Sequence, residues 1–258
     1  MKNTDFKYKL YVIATLVIAL SLAAFRTVLL LYFFDYDVNY YSAGTILPTL
    51  CNILLLIATL FAASSLFTFK KDELGTRESR ASGFFVFTSS LCAFSLIGHL
   101  IFGLTKSGST TLEKVAALAA APAAIYFFLL LVNSEKSLKL RSIFGFFVPI
   151  WGVLNLAAIY FDSYVAINDP NKIIEQTAFI STMLFFLYEL RILLEKPKPK
   201  LHLFFGLCAL IFTAAASFPG IIAVSLGKLD AKYLAYDVIF AAMFLYVCRA
   251  MMTSTKEE

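Results

Sequence analysis

Leu184-Phe185-Phe186-Leu187-Tyr188-Glu189-Leu190-Arg191-Ile192-Leu193-Leu194-Glu195-Lys196-Pro197-Lys198-Pro199-Lys200 decides how the chain is built. An apolar run there takes a Glu and an Arg aboard and then stops in alternating Lys and Pro. Proline withholds its N–H and resists helical continuation, while lysine seeks anionic headgroups. The stretch therefore reads as a membrane helix ending at the cytoplasmic leaflet, with a stiff basic stop beyond it.

Working outward from this stop, the rest of the chain follows the same pattern. Its 258 residues are 60% hydrophobic, 16% aromatic and 15% charged, against about 25% charged in soluble domains. A span needs about 20 mostly apolar residues. Eight segments qualify, near 10–34, 43–69, 82–105, 115–134, 142–164, 176–195, 203–226 and 234–252. The polar segments between them are too short for a soluble domain. The expected fold is all-α: a polytopic membrane helical bundle of about eight transmembrane helices, one integral membrane domain over 1–258. The run from Leu10 to Phe34 exceeds the core of a secretory signal, about 7–15 residues, and reads as a retained first helix.

Orientation comes from lysine and arginine, because loops rich in them stay cytoplasmic. With the N-terminus inside, sixteen of the 22 basic residues fall on the cytoplasmic side, among them Lys70, Lys71, Arg77, Arg80, Lys136, Lys139, Arg141, Lys196 and Lys198. The other side holds Lys106, Lys114, Lys172, Lys228 and Lys232, and Arg26 lies within a span. Both termini are thus expected in the cytoplasm and the protein in the plasma (cell) membrane. The formal net charge of +5 then marks topology and contact with anionic headgroups, not a nucleic-acid partner.

A duplication is suggested at the span exits. Tyr32-Phe33-Phe34-Asp35-Tyr36 and Tyr160-Phe161-Asp162-Ser163-Tyr164 agree at three of five positions, and Cys92 in span three has Cys208 in span seven. Two four-span halves, 1–134 and 135–258, would form a parallel 4+4 repeat with any site between them.

Ionisable groups inside a span face the bundle interior and seek partners. Arg26, eight residues short of Phe34, lies about 12 Å below the outer surface at 1.5 Å per residue. His99 is about 9 Å deep and Asp237 about 6 Å, with Asp162 and Asp35 near the same surface. These depths suggest one outer polar cluster, in which Asp237 or Asp162 neutralises Arg26 while His99 hydrogen-bonds nearby. An inner layer holds Glu189, Arg191 and Arg249. A spacing of two puts Glu189 and Arg191 on different helix faces. Arg191 is expected to reach headgroups and Glu189 to seek Arg249, both in structural roles. Pro48, Pro122, Pro149 and Pro219-Gly220 interrupt spans. The alanine-rich Val115–Ala124 marks span four as a packing helix at the centre.

Catalytic signatures are missing: the sequence has no H-E-x-x-H, G-x-S-x-G, G-x-x-x-x-G-K-[ST] or G-x-G-x-x-G. Cys51, Cys92, Cys208 and Cys248 all sit in apolar runs, where cysteine acts as a small hydrophobe. His99 and His202 fall near opposite surfaces and cannot share a metal. No metal or other cofactor is implied. The residues point first to small-solute binding or transport through an outward-facing polar pocket. A sensory or accessory subunit whose basic loops dock a cytoplasmic partner comes second. Third is a membrane enzyme in which Asp35-Tyr36-Asp37 holds a divalent cation and a lipid-linked substrate.

Overall fold

In lipid a backbone N–H or C=O has no water to bond, so each apolar run closes its hydrogen bonds within itself as a helix. The computed structural model describes residues 2–35, 40–42, 44–70, 74, 77–79, 83–132, 135–162, 165, 169–229 and 234–256. Among these residues the helices are α1 (Lys2–Tyr32), α2 (Leu47–Thr68), α3 (Gly83–Thr105), α4 (Thr111–Leu130), α5 (Glu135–Gly145), α6 (Phe147–Phe161), α7 (Pro170–Leu193), α8 (Pro199–Ser225) and α9 (Leu234–Thr253). Eight units are long and apolar enough to cross a membrane, with α5 and α6 together making the fifth. The protein is an all-α, multi-pass membrane bundle.

Local chemistry sets the helix ends. Asp169 caps α7, its carboxylate accepting the N–H groups of Asn171 and Lys172 at 2.8 Å each, and Pro170 occupies the first turn. The sixth span therefore starts at Pro170 rather than 176, and its polar first turn is helical. Thr110 and Glu113 form a reciprocal capping box that starts α4 ahead of its apolar run. Pro149 cannot bond Gly145, and the fifth span breaks at Phe146 between α5 and α6. Pro48 does not interrupt α2, as expected from sequence, but sits in its first turn, where its missing N–H costs nothing.

At the stop quoted above, Glu195 takes φ 56°. The Lys196 N–H reaches the Arg191 carbonyl at 2.9 Å and the Glu195 N–H reaches Ile192 at 3.0 Å. This is a Schellman closure with glutamate where glycine is usual. The chain reverses at once into α8.

Helix α8 is the central one, with 72% of its apolar window buried. It packs against α1, α2, α7 and α9. Its buried face is lined by small residues, including Gly206, Ala209, Ala214, Ala215, Ala216 and Gly220, which allow close approach. This corrects the expectation for the alanine-rich span: α4 packs tightly on α3 and α6, but only 39% of its window is buried. Small residues alone did not rank the two helices.

Successive contacts α3–α4, α4–α6, α6–α7, α7–α8, α8–α9 and α9–α3 close a six-helix ring, with α1 and α2 flanking α8. Two aromatic layers fill the ring. Phe179 meets Trp151 at 5.3 Å and Phe240 at 4.7 Å between ring centroids. One layer along, Phe127 meets Phe186 at 5.5 Å and Tyr246 at 5.4 Å.

Both ends of the chain lie at one face of the bundle. The Tyr8 hydroxyl lies 3.9 Å from the Met251 sulfur, and strand β3 (Arg77–Ser79) pairs antiparallel with β4 (Ser254–Lys256). At this terminal face basic side chains satisfy carbonyls at helix C-termini: Lys200 Nζ bonds Leu66 O of α2 at 2.9 Å, and Arg141 Nε bonds Leu129 O of α4 at 2.9 Å. At the opposite face a short hairpin follows α1, with Phe34–Asp35 (β1) paired to Tyr40–Tyr41 (β2). In a 4+4 repeat α2 against α3 would match α7 against α8. Here α7 runs along α8, whereas α2 packs on α1 and α8.

Candidate functional site

Pro219 lies inside α8. Because proline has no N–H, the carbonyl four residues earlier, Ala215, loses its helical partner. Arg26 of α1 fills that vacancy: its Nη1 donates to the Ala215 carbonyl and its Nη2 to Asn171 Oδ1 of α7. The Arg26 side chain is 3% exposed, and its Nε–H has no acceptor among the described residues. The guanidinium is therefore held by two neutral oxygens.

The next residue, Gly220, shapes the other wall. A β-carbon there would come within 2.7 Å of the Asp237 Cγ, so only glycine lets the α9 carboxylate lie against the α8 backbone. Asp237 is buried. Glu175, one turn after Asn171 on the same face of α7, is half-buried. The Glu175 charge acts on Asp237, the Asp169 charge acts on Glu175, and the Arg26 charge acts on both Glu175 and Asp237. From the hairpin, Tyr41 lies within the electrostatic reach of the Arg26 guanidinium, and its ring packs edge-on against Phe34 at 5.3 Å. Burial pushes the Tyr41 pKa up, and the neighbouring guanidinium only partly opposes this. Tyr41 is therefore neutral at physiological pH.

The sequence-derived cluster is thus regrouped. Arg26 and Asp237 share a site with Asn171 and Glu175, but Arg26 donates to Ala215 and Asn171 instead of to Asp237 or Asp162. Asp162 gives its backbone carbonyl to Lys172 Nζ at 2.8 Å, next to Val165 O at 3.0 Å, and its charge acts on Tyr236. His99 sits within the ring of helices, edge-on to Trp151 at 5.9 Å and tilted on Tyr236 at 5.4 Å. Neither of its ring nitrogens nor Trp151 Nε1 makes a hydrogen bond of normal geometry among the described residues, although the Asn155 side chain is near enough to interact with the imidazole. Tyr236 donates to Asn155 Oδ1 at 3.1 Å, and Asn155 Nδ2 to the Trp151 carbonyl at 2.8 Å. Consecutive residues Tyr236 and Asp237 thus join the two groups. Asp35 is exposed on β1, while Tyr36 and Asp37 lie outside the described residues, as do Ser163 and Tyr164 of the suggested repeat.

Toward the terminal face, Arg249 stacks its guanidinium over Phe85 at 4.1 Å and acts electrostatically on Glu189. Arg191 points elsewhere, its Nε donating to Lys196 O at 3.2 Å.

Sequence reasoning missed Glu175 and Asn171. The signal was present, since Asp169-Pro170 is a helix start, but beginning the span at 176 left both in the loop. It also treated Pro219-Gly220 only as an interruption.

These features define a multi-pass membrane protein with charged and polar side chains buried in two layers. Compared with known proteins, the chain matches no family model, and no curated protein or solved structure matches it. Among the described residues no three His, Cys, Asp or Glu side chains gather as a metal site.

Proposed function

We propose that the layer around Arg26 binds a small polar solute from the outer side of a cell membrane, as the first step of its transport. One observation carries this reading. A fully enclosed arginine is anchored to a proline-freed carbonyl and an amide, leaves its Nε–H without an acceptor among the described residues, and acts electrostatically on two carboxylates. A charged group inside a membrane is costly unless it serves partners or a pathway. The partly accessible Glu175 supports entry from the face opposite the termini. The Lys and Arg asymmetry supports that face being the outer one, with both termini cytoplasmic and Lys196 and Lys198 at anionic headgroups. The two aromatic layers form the barrier between the outer and inner charges.

The test is a thermal-shift screen of small polar solutes on the purified chain in detergent, followed by uptake of any hit into proteoliposomes. A hit raises the melting temperature of the wild type but not of Arg26→Gln, and is taken up by wild-type vesicles. A broad screen with no Arg26-dependent hit would reject the proposal.

A further inference from the structure

We infer that the solute of the Arg26 layer is a small zwitterion of the α-amino acid type, its carboxylate held by Arg26 and its ammonium by Asp237. The inference rests on the proposed binding site and assigns that site a substrate class.

The carboxylate end follows from the donors of Arg26. A guanidinium presents a planar fork of N–H groups and no acceptor, with two N–H groups on each terminal nitrogen and one on Nε. Nη1 donates to the Ala215 carbonyl and Nη2 to Asn171 Oδ1. The Nε–H has no acceptor among the described residues, in a side chain 3% exposed. A buried donor left open is costly, and more so when it is charged. What completes it is an acceptor, and because the two oxygens already held are neutral, an anionic acceptor also answers the charge. A carboxylate fits the fork, taking the Nε–H together with a terminal N–H that the protein oxygens leave over.

The ammonium end follows from Asp237. Its carboxylate lies against α8 in the space that Gly220 leaves open. The residue is 6% exposed and accepts no hydrogen bond among the described residues. A carboxylate removed from water needs donors as much as Arg26 needs an acceptor. An ammonium supplies N–H donors and a positive charge. A simple anion would leave Asp237 unanswered, and a simple amine would leave the Nε–H open. A zwitterion answers both.

The spacing suits a molecule of that size. The anchor points of the two charges on α8, Ala215 and Gly220, are about 7.5 Å apart along the helix axis at 1.5 Å per residue. Two charge-assisted hydrogen bonds of about 2.8 Å each leave a short remainder, the reach of a carboxylate and an ammonium on neighbouring carbons.

The experiment uses the full chain in detergent at about pH 7, where free amino acids are zwitterionic. The standard L-amino acids are screened by thermal shift. Isothermal titration calorimetry then compares each hit with its amide, which lacks the carboxylate, and its 2-hydroxy acid, which lacks the ammonium. At least one amino acid is expected to raise the melting temperature by on the order of a few degrees and to bind at least about tenfold more tightly than either analogue. In Asp237→Asn the amino acid loses most of its advantage over the hydroxy acid, and in Arg26→Gln most of its advantage over the amide. The comparison of analogues on the wild type decides the matter without either variant. The inference is overturned if a hit and one of its analogues bind equally. It is also overturned if no amino acid binds while another solute does so through Arg26, a result that leaves solute binding standing. A broad screen with no Arg26-dependent hit of any class rejects the binding site, and this inference with it.

Discussion

The Asp237 carboxylate lies against the backbone of Gly220, in space that a β-carbon on Gly220 would need. One residue earlier, Pro219 frees the carbonyl that Arg26 takes. A single dipeptide of α8 thus positions both the cation and an anion of the layer, one by withholding an N–H and the other by withholding a side chain. Around this dipeptide α1, α7 and α9 come to one point.

Gly220→Ala is expected to destabilise the protein by about 1–3 kcal/mol, the usual cost of overpacking a tight site. In an Asp237→Ala background the same change should cost much less, because the carboxylate it collides with is gone and the two effects are coupled. Thermal unfolding of the four proteins in detergent gives the cycle. Additive losses would mean that the new methyl strikes something other than Asp237.

The bundle was legible in the sequence because hydropathy is a local property. The spans found by apolar runs lie close to those of the structure. Their polar first turns were less legible, since Asp169-Pro170 and Thr110-Glu113 extend helices through capping, which hydropathy does not record. Arg26 and Asp237 could be placed at a common depth by counting residues. Depth does not fix azimuth, however, and His99 at nearly the same depth faces Trp151 instead. Which helix stands at the centre was hidden too, because α4 and α8 are both rich in small residues and only packing ranks them.

Glu195→Gly should stabilise the protein. Glu195 sits at φ 56°, where an ordinary side chain strains against the backbone by about 1–2 kcal/mol and glycine does not. Glycine's larger loss of backbone freedom on folding returns roughly 0.5–1 kcal/mol of that gain. The net effect is a small rise in melting temperature with the α7–α8 reversal intact. A lower melting temperature would show that the Glu195 side chain contributes more than its backbone costs.

At the inner layer the contact to test is Arg249 over Phe85, 4.1 Å from guanidinium carbon to ring centroid. A desolvated cation–π pair contributes about 0.5–2 kcal/mol, so Phe85→Leu should cost at least that much. Arg249→Met is then expected to cost less in the Phe85→Leu protein than in the wild type. Equal costs in the two backgrounds would assign the role of Arg249 to other neighbours.

His99 supplies the sharpest contrast with its neighbour Tyr236. Among the described residues no hydrogen bond of normal geometry reaches either His99 nitrogen, the Asn155 side chain interacting with the imidazole without one, while its ring packs edge-on to Trp151. A buried polar group without a partner costs about 1–3 kcal/mol. His99→Phe keeps an aromatic ring in the layer and removes that cost, so it should leave stability unchanged or raise it, within the limits of fitting a slightly larger ring. Tyr236→Phe is a similarly small change with the opposite sign. It deletes the hydroxyl that donates to Asn155 Oδ1 at 3.1 Å and strands the amide oxygen, at a cost of about 1 kcal/mol or more. Melting curves of the two variants side by side decide the matter. If His99→Phe falls as far as Tyr236→Phe, the imidazole nitrogens are engaged, and an ordered water joining His99 to Trp151 Nε1 becomes the species to look for.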